Sequence, residues 1–192
     1  MLLRKEFLER QAAIRDVPGV ARRILITLGG ADPNNVTLQV VRAVKGLVRW
    51  NLEIKIVIGP ANPNCDSIQK ELGQSPLPFR ILTNVTDMPS LMAWADMAVS
   101  AGGSTCWELA FMGVPYLVII LAENQVGVAK GLDKANATLN CGWFYALSTK
   151  QLSAHCEKMI VDRNVRTNYA AKGQQLVDGL GAERLLECIG KF

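Results

Sequence analysis

The sequence predicts an α/β protein built on a doubly wound, parallel sheet of six strands. Three observations lead there. Short apolar runs, such as residues 24–28 and 116–121, alternate along the chain with segments of helical periodicity. These runs are apolar throughout, as strands covered on both faces require. Glycine pairs, Gly29-Gly30 and Gly102-Gly103, stand where the first and fourth runs give way to helices, which is a Rossmann-like arrangement.

Each element has its own signal. Residues 24–28 form the first strand, closed by Gly29-Gly30; Asp32 reads as a helix cap with Pro33 at the first helical position. Val36, Val40, Val44 and Leu47 line one face of that helix. Residues 53–58 are the second strand, ended by Gly59-Pro60, and 64–72 a short helix. Residues 79–82 and 96–100 supply strands three and four, with a helix over 87–94 between them. A helix over 104–112 stops at Gly113-Val114-Pro115. Residues 116–121 are the fifth strand, 125–140 a helix, and 142–146 a weak sixth strand. From Ser148 the chain is helical, to 161 and then over 165–176 and 182–189. Residues 1–22 read as a leader or interdomain linker helix outside the core, closed by Pro18-Gly19, and residues 23–192 as one domain.

Composition narrows the function classes. The 192 residues are 49% hydrophobic, enough for a substantial core, but no run of apolar residues is long enough to span a bilayer. The charged N-terminal stretch lacks the features of a secretion signal, so a cytoplasmic setting is expected. A net charge of +4 without a Lys/Arg block suits an anionic small ligand or an anionic membrane surface nearby and argues against nucleic acid as partner. Five cysteines without C-x-x-C spacing read as reduced structural thiols, and with one histidine, His155, neither a zinc site nor another metal or cofactor is expected.

The chemistry is expected where the sheet order reverses. In the order 3-2-1-4-5-6 the loops after strands one and four lie side by side at the carboxyl ends. Those loops are Gly29-Gly30-Ala31-Asp32 and Ala101-Gly102-Gly103-Ser104-Thr105. Bare backbone, unpaired N–H groups and a helix N-terminus together suit phosphate. Each pair also has a plain reading as a turn. Glu108 either completes a capping box with Thr105 or faces the crevice and accepts from ribose hydroxyls. Asn124-Gln125 either caps the next helix or contacts a sugar. The segment 83–88 either starts a capped helix or reads a flat base through its backbone, with Val85 and Met88 packing on that base. His155 sits far from these loops, and neither a P-loop nor a G-x-G-x-x-G fingerprint is present.

Four separated motifs carry a resemblance: Leu28-Gly29-Gly30-Ala31-Asp32-Pro33-Asn34-Asn35; Asp87-Met88 through Ala95-Asp96; Ala101-Gly102-Gly103-Ser104-Thr105 with Glu108; and Ala122 with Asn124-Gln125. Together they resemble the second domain of the PseG-type UDP-sugar hydrolases of pseudaminic acid synthesis. The spore-coat polysaccharide proteins and, more distantly, MurG-like glycosyltransferases share the layout. The resemblance implies the C-terminal half of a GT-B fold, with UDP or a UDP-sugar as ligand. It places the uracil on backbone at Val85 beside Met88. The diphosphate falls on Gly30 and the Gly103-Ser104-Thr105 helix start, with Gly29 and Gly102 also in the UDP site, the ribose on Glu108, and the sugar on Asn124 and Gln125. It also implies that water attack at the anomeric carbon is served by a histidine loop of an N-terminal domain. This chain lacks such a loop, and its opening residues Leu2 to Phe7 resemble the hinge into the second domain. It is therefore expected to be a C-terminal half that binds UDP but does not catalyse alone.

Overall fold

The computed structural model describes residues 2–10, 15–73 and 75–190. Six strands, β1 (Arg23–Thr27), β2 (Glu53–Ile58), β3 (Phe79–Thr83), β4 (Met97–Ala101), β5 (Tyr116–Ile120) and β6 (Leu139–Trp143), pair in parallel in the order β3-β2-β1-β4-β5-β6. This is the sheet order expected of a doubly wound fold, with its reversal between β1 and β4. Thr27 of β1 lies opposite Ser100 of β4, so the two glycine loops leave the sheet at the same level.

Helices cover both faces. On one side lie α2 (Val36–Lys45), α3 (Cys65–Leu72) and α7 (Thr149–Val161); on the other lie α4 (Met88–Trp94), α5 (Thr105–Phe111) and α6 (Val126–Lys134). Successive residues of β1 serve opposite layers: Ile24 and Ile26 join Val40, Ile56 and Leu152, while Leu25 joins Met92, Leu109 and Val118. Each such side chain, fully buried, contributes about 1.5–3 kcal/mol of hydrophobic stabilisation. The remaining helices are α1 (Lys5–Leu8), α8 (Arg163–Leu176) and α9 (Gly181–Ile189). Among the described residues no helix is long and apolar enough to cross a membrane.

Several boundaries differ from the sequence expectation. The helix after β1 begins at Val36, not Pro33, because Asp32, with φ 42°, turns the chain before it can coil. The helix expected over 125–140 is shorter. A 3-10 turn at Glu123–Gln125 leads into α6, and Asn136, at φ 53°, ends it in the left-handed region. That early stop frees 139–143 to form β6, where Thr138 Oγ1 donates to the Tyr116 carbonyl at 2.7 Å; residues 144–146 form a 3-10 turn instead of strand.

The N-terminal segment is also not a bare leader. Within 1–22, helix covers only Lys5–Leu8 of the described residues, and 11–14 lie outside them. Phe7 is fully buried in the core layer that holds Met92, Phe111 and Val177. Further on, α8 clamps the approach to β1. The buried Arg166 guanidinium donates to the carbonyls of Met159, Ile160, Pro18 and Gly19, and Arg163 Nε donates to the Val17 carbonyl at 2.8 Å. Asp96, just before β4, accepts from the amides of Arg22 and Arg23 and from the Arg23 guanidinium.

Candidate functional site

The carboxyl ends of β1, β4 and β5 open into a cleft of about 320 Å³. Its walls are the β1–α2 loop from Leu28 to Asn34, the β4–α5 loop at Gly103, Ser104 and Thr105, and Leu121, Ala122 and Gln125 after β5; Thr27 and Ser100 lie beneath. The two glycine loops therefore share one groove. No Lys or Arg is among these lining residues. An anion here would be held by backbone dipoles rather than by a side-chain cation.

The two loops are not equivalent. The Asp32 carboxylate, almost completely buried, accepts from the amides of Val36 and Thr37 at 2.8 Å each. The N-terminus of α2 is thus filled by the protein's own carboxylate. At α5, the Gly103 amide bonds to the Ala101 carbonyl at 2.8 Å, and the Ser104 side chain makes no capping bond. Ser104 and Thr105 precede the first complete turn, so their amides have no intrahelical acceptor. The open amides are on the β4 side, and the β1 side is a preformed wall.

Neighbouring residues hold that wall. The Gly30 carbonyl accepts from the Ala61 amide at 3.2 Å, and Asn64 Nδ2 donates to the Asp32 carbonyl at 2.9 Å. Gly59, at the end of β2, approaches so closely that a Cβ there would lie 2.3 Å from the Gly30 carbonyl oxygen. In sequence, Gly59 reads only as a strand terminator. Its clue was the position opposite Gly30, which needs the sheet order to be seen.

Gln125 ties the end of β4 to the end of β5. Its Oε1 accepts from the Leu121 amide at 2.9 Å and from the Gly102 amide at 3.2 Å. Because both partners are donors, the amide orientation is fixed, and Nε2 makes no hydrogen bond among the described residues. Gly102 is needed for this contact, since a Cβ there would lie 3.0 Å from Gln125 Cβ. Gln125 makes no capping bond to α6. Asn124 is exposed and does not line the cleft.

Glu108, Val85 and Met88 are not among the residues that line the cleft. Glu108, 8% exposed, makes no capping box: Ser104 is the N-cap, Thr105 is already helical, and Arg4 Nε donates to Glu108 Oε1 at 2.9 Å. Asp87 caps α4 by accepting from the Ser90 amide at 3.0 Å. Met88 at the first position of α4 is buried in the core, and Val85 packs half-buried against the same layer. Neither side chain lines the cleft. Arg10 reaches the same place, donating to Asp87 Oδ2 at 3.3 Å and to Ser90 Oγ.

Among the described residues that line the cleft, the only carboxylate is that of Asp32, and it is engaged by the amides of Val36 and Thr37. Cys106 follows the β4 loop, but burial pushes its thiol up to about 12, and Sγ donates to the Ala101 carbonyl at 3.1 Å. His155 lies on α7, away from the glycine loops, and burial followed by the nearby Lys158 lowers its pKa.

Fold and cleft together define the C-terminal, Rossmann-like domain of a GT-B protein. MurG of Acinetobacter baumannii superposes with a TM-score of 0.74 over 97% of this chain and 53% of its own, at 21% identity. The spinosyn rhamnosyltransferase SpnG, in complex with thymidine diphosphate, superposes at 0.63 over 89% and 45%, at 23% identity. More particularly, the chain belongs to the glycosyltransferase family 28 C-terminal domain family, whose pattern matches residues 23–182. Among curated proteins it is similar to the spore coat polysaccharide biosynthesis protein SpsG of Bacillus subtilis, 28% identical over 85% of this chain and 48% of that protein. It is also similar to the pseudaminic acid cytidylyltransferase and UDP-2,4-diacetamido-2,4,6-trideoxy-beta-L-altropyranose hydrolase of Helicobacter pylori, at 29% over 74% and 24%. The chain thus spans about half or less of the length of these relatives.

Proposed function

We propose that the chain is the UDP-binding half of a nucleotide-sugar enzyme of surface polysaccharide synthesis, of the type in which water attacks the anomeric carbon and UDP leaves. The observation that carries this reading is the convergence of the β1 and β4 loops on one cleft, with the amides of Ser104 and Thr105 open to it. The diphosphate lies against Gly29, Gly30 and the Gly102 to Thr105 loop, where backbone dipoles stabilise the charge that develops as the glycosidic bond breaks. The uracil meets backbone at Val85, above the buried Met88. Glu108 accepts from the ribose, and Gln125 Nε2, with Asn124 at the rim, donates to the sugar. The base that activates water belongs to a preceding domain of the same enzyme. The similarity to the Helicobacter pylori hydrolase supports water as the acceptor.

A second reading, transfer of the sugar to an alcohol, is favoured by the family itself and by the likeness to MurG. Both readings need UDP in the cleft. Titration calorimetry of the 192-residue chain with UDP is the test. The expected Kd lies between about 0.1 and 1 mM, or −5.5 to −4 kcal/mol, since backbone alone holds the anion. Glu108→Ala is expected to weaken binding roughly tenfold. No heat and no thermal shift at millimolar UDP would remove both readings. Where sugar is released, its incorporation of ¹⁸O from labelled water identifies hydrolysis; unlabelled, acceptor-linked sugar identifies transfer.

A further inference from the structure

We infer that Arg4 is a positioning residue for the nucleoside side of the cleft: it holds the Glu108 carboxylate by one oxygen and leaves the other to accept from ribose hydroxyls. This rests on the nucleotide reading above and extends it to a residue 104 positions away in sequence.

Glu108 stands on α5 close to the unpaired amides of Ser104 and Thr105. A carboxylate there is drawn toward those amides, because they carry the positive end of the helix dipole. Folding back, it would fill the same donors that a phosphate needs. Arg4 prevents this. Its Nε donates to Glu108 Oε1 at 2.9 Å, and among the described residues no donor reaches Oε2. The guanidinium is itself fixed. Its Nη1 lies 2.7 Å from Glu6 Oε1, and its Cζ lies 5.1 Å from the ring centroid of Phe7. Phe7 is buried in the core, so the strap that carries Arg4 is anchored beside its target.

Charge points the same way. The Glu108 side chain is only 10% exposed, and a buried carboxylate requires a partner. Arg4, half exposed, supplies that partner. The guanidinium reaches Glu108 through Nε alone, one directed hydrogen bond that fixes the place of Oε1, while Nη1 turns to Glu6. Lysine would supply the charge without that directed Nε–H.

The test compares UDP with 2′,3′-dideoxy-UDP, which lacks both ribose hydroxyls, on the 192-residue chain and its Arg4→Gln and Arg4→Lys variants. Calorimetry gives the affinities, and thermal unfolding checks that each variant is folded. Wild type is expected to prefer UDP roughly tenfold, as a hydrogen bond to a charged acceptor implies. Arg4→Gln should cut this preference to about twofold while leaving dideoxy-UDP binding unchanged, and Arg4→Lys should restore part of it. A purely structural role would lower both affinities together. Arg4→Gln that keeps the wild-type preference overturns the inference while leaving the nucleotide reading standing. So does Arg4→Gln that binds UDP more tightly, since Arg4 would then be shielding the carboxylate. Wild type that binds neither nucleotide overturns the nucleotide reading, and the inference falls with it.

Discussion

Asp32 offers the sharpest test of how the cleft wall is built. Its carboxylate takes two buried amides, Val36 and Thr37, at 2.8 Å each, and its backbone sits at φ 42°. Asp32→Ala removes both bonds and places a β-carbon residue in the left-handed region without the polar side chain that eases it. Loss of the cap costs about 1–2 kcal/mol, and the second stranded amide with the backbone strain about 1–2 more. The total is about 2–4 kcal/mol. Asp32→Asn keeps the left-handed tolerance and one acceptor, so it should lose about half as much. Urea unfolding, read by far-UV circular dichroism with unchanged m, measures the difference. Native-state hydrogen exchange locates it: protection at Val36 and Thr37 should fall in Asp32→Ala. A variant within about 0.5 kcal/mol of wild type, with those amides still protected, would refute the account.

Two further outcomes follow from the same geometry. Gly59→Ala puts a methyl group against the Gly30 backbone, where a Cβ would meet the carbonyl carbon at 2.6 Å. The loop has to move, so stability should fall by about 1–3 kcal/mol and UDP affinity should drop with it; unchanged affinity in calorimetry would show that the β1 loop does not touch the ligand. For Asp96, burial pushes the carboxyl up, but the Arg23 guanidinium and the amides of Arg23 and Arg22 outweigh it and hold it below the usual range. A depressed folded pKa stabilises above the unfolded value near 3.8 and loses that contribution as pH falls through the folded one. Urea midpoints between about pH 6 and 2 should therefore decline in wild type, and the decline should be shallower in Asp96→Asn.

Much of this fold was legible because its signals are local. Apolar runs buried on both faces give strands without alternation, and the Gly-Gly pairs mark where backbone must come close. The β1 and β4 loops therefore fell where expected. Asp32 was visible as a cap, but not that it caps from four and five residues away, because its turn depends on a positive φ that composition does not announce. Strand β6 was misplaced by three residues. All five of its residues are half-buried, so neither a continuous apolar run nor a clean alternation marks it. Arg4 and Gly59 were missed for one reason: each matters through a partner brought near by the sheet or by the N-terminal strap. Glu108 shows the reverse case. A sound local motif, Ser/Thr-x-x-Glu, was overridden by a distant guanidinium.

The Gln125 staple has a kinetic corollary. Its single oxygen, shared between the neighbouring ends of β4 and β5, settles the shape of that wall before any guest arrives. Association should then be a one-step collision, with a rate proportional to nucleotide concentration and no plateau at high concentration. Selectivity among nucleotides would appear as differences in residence time rather than in arrival.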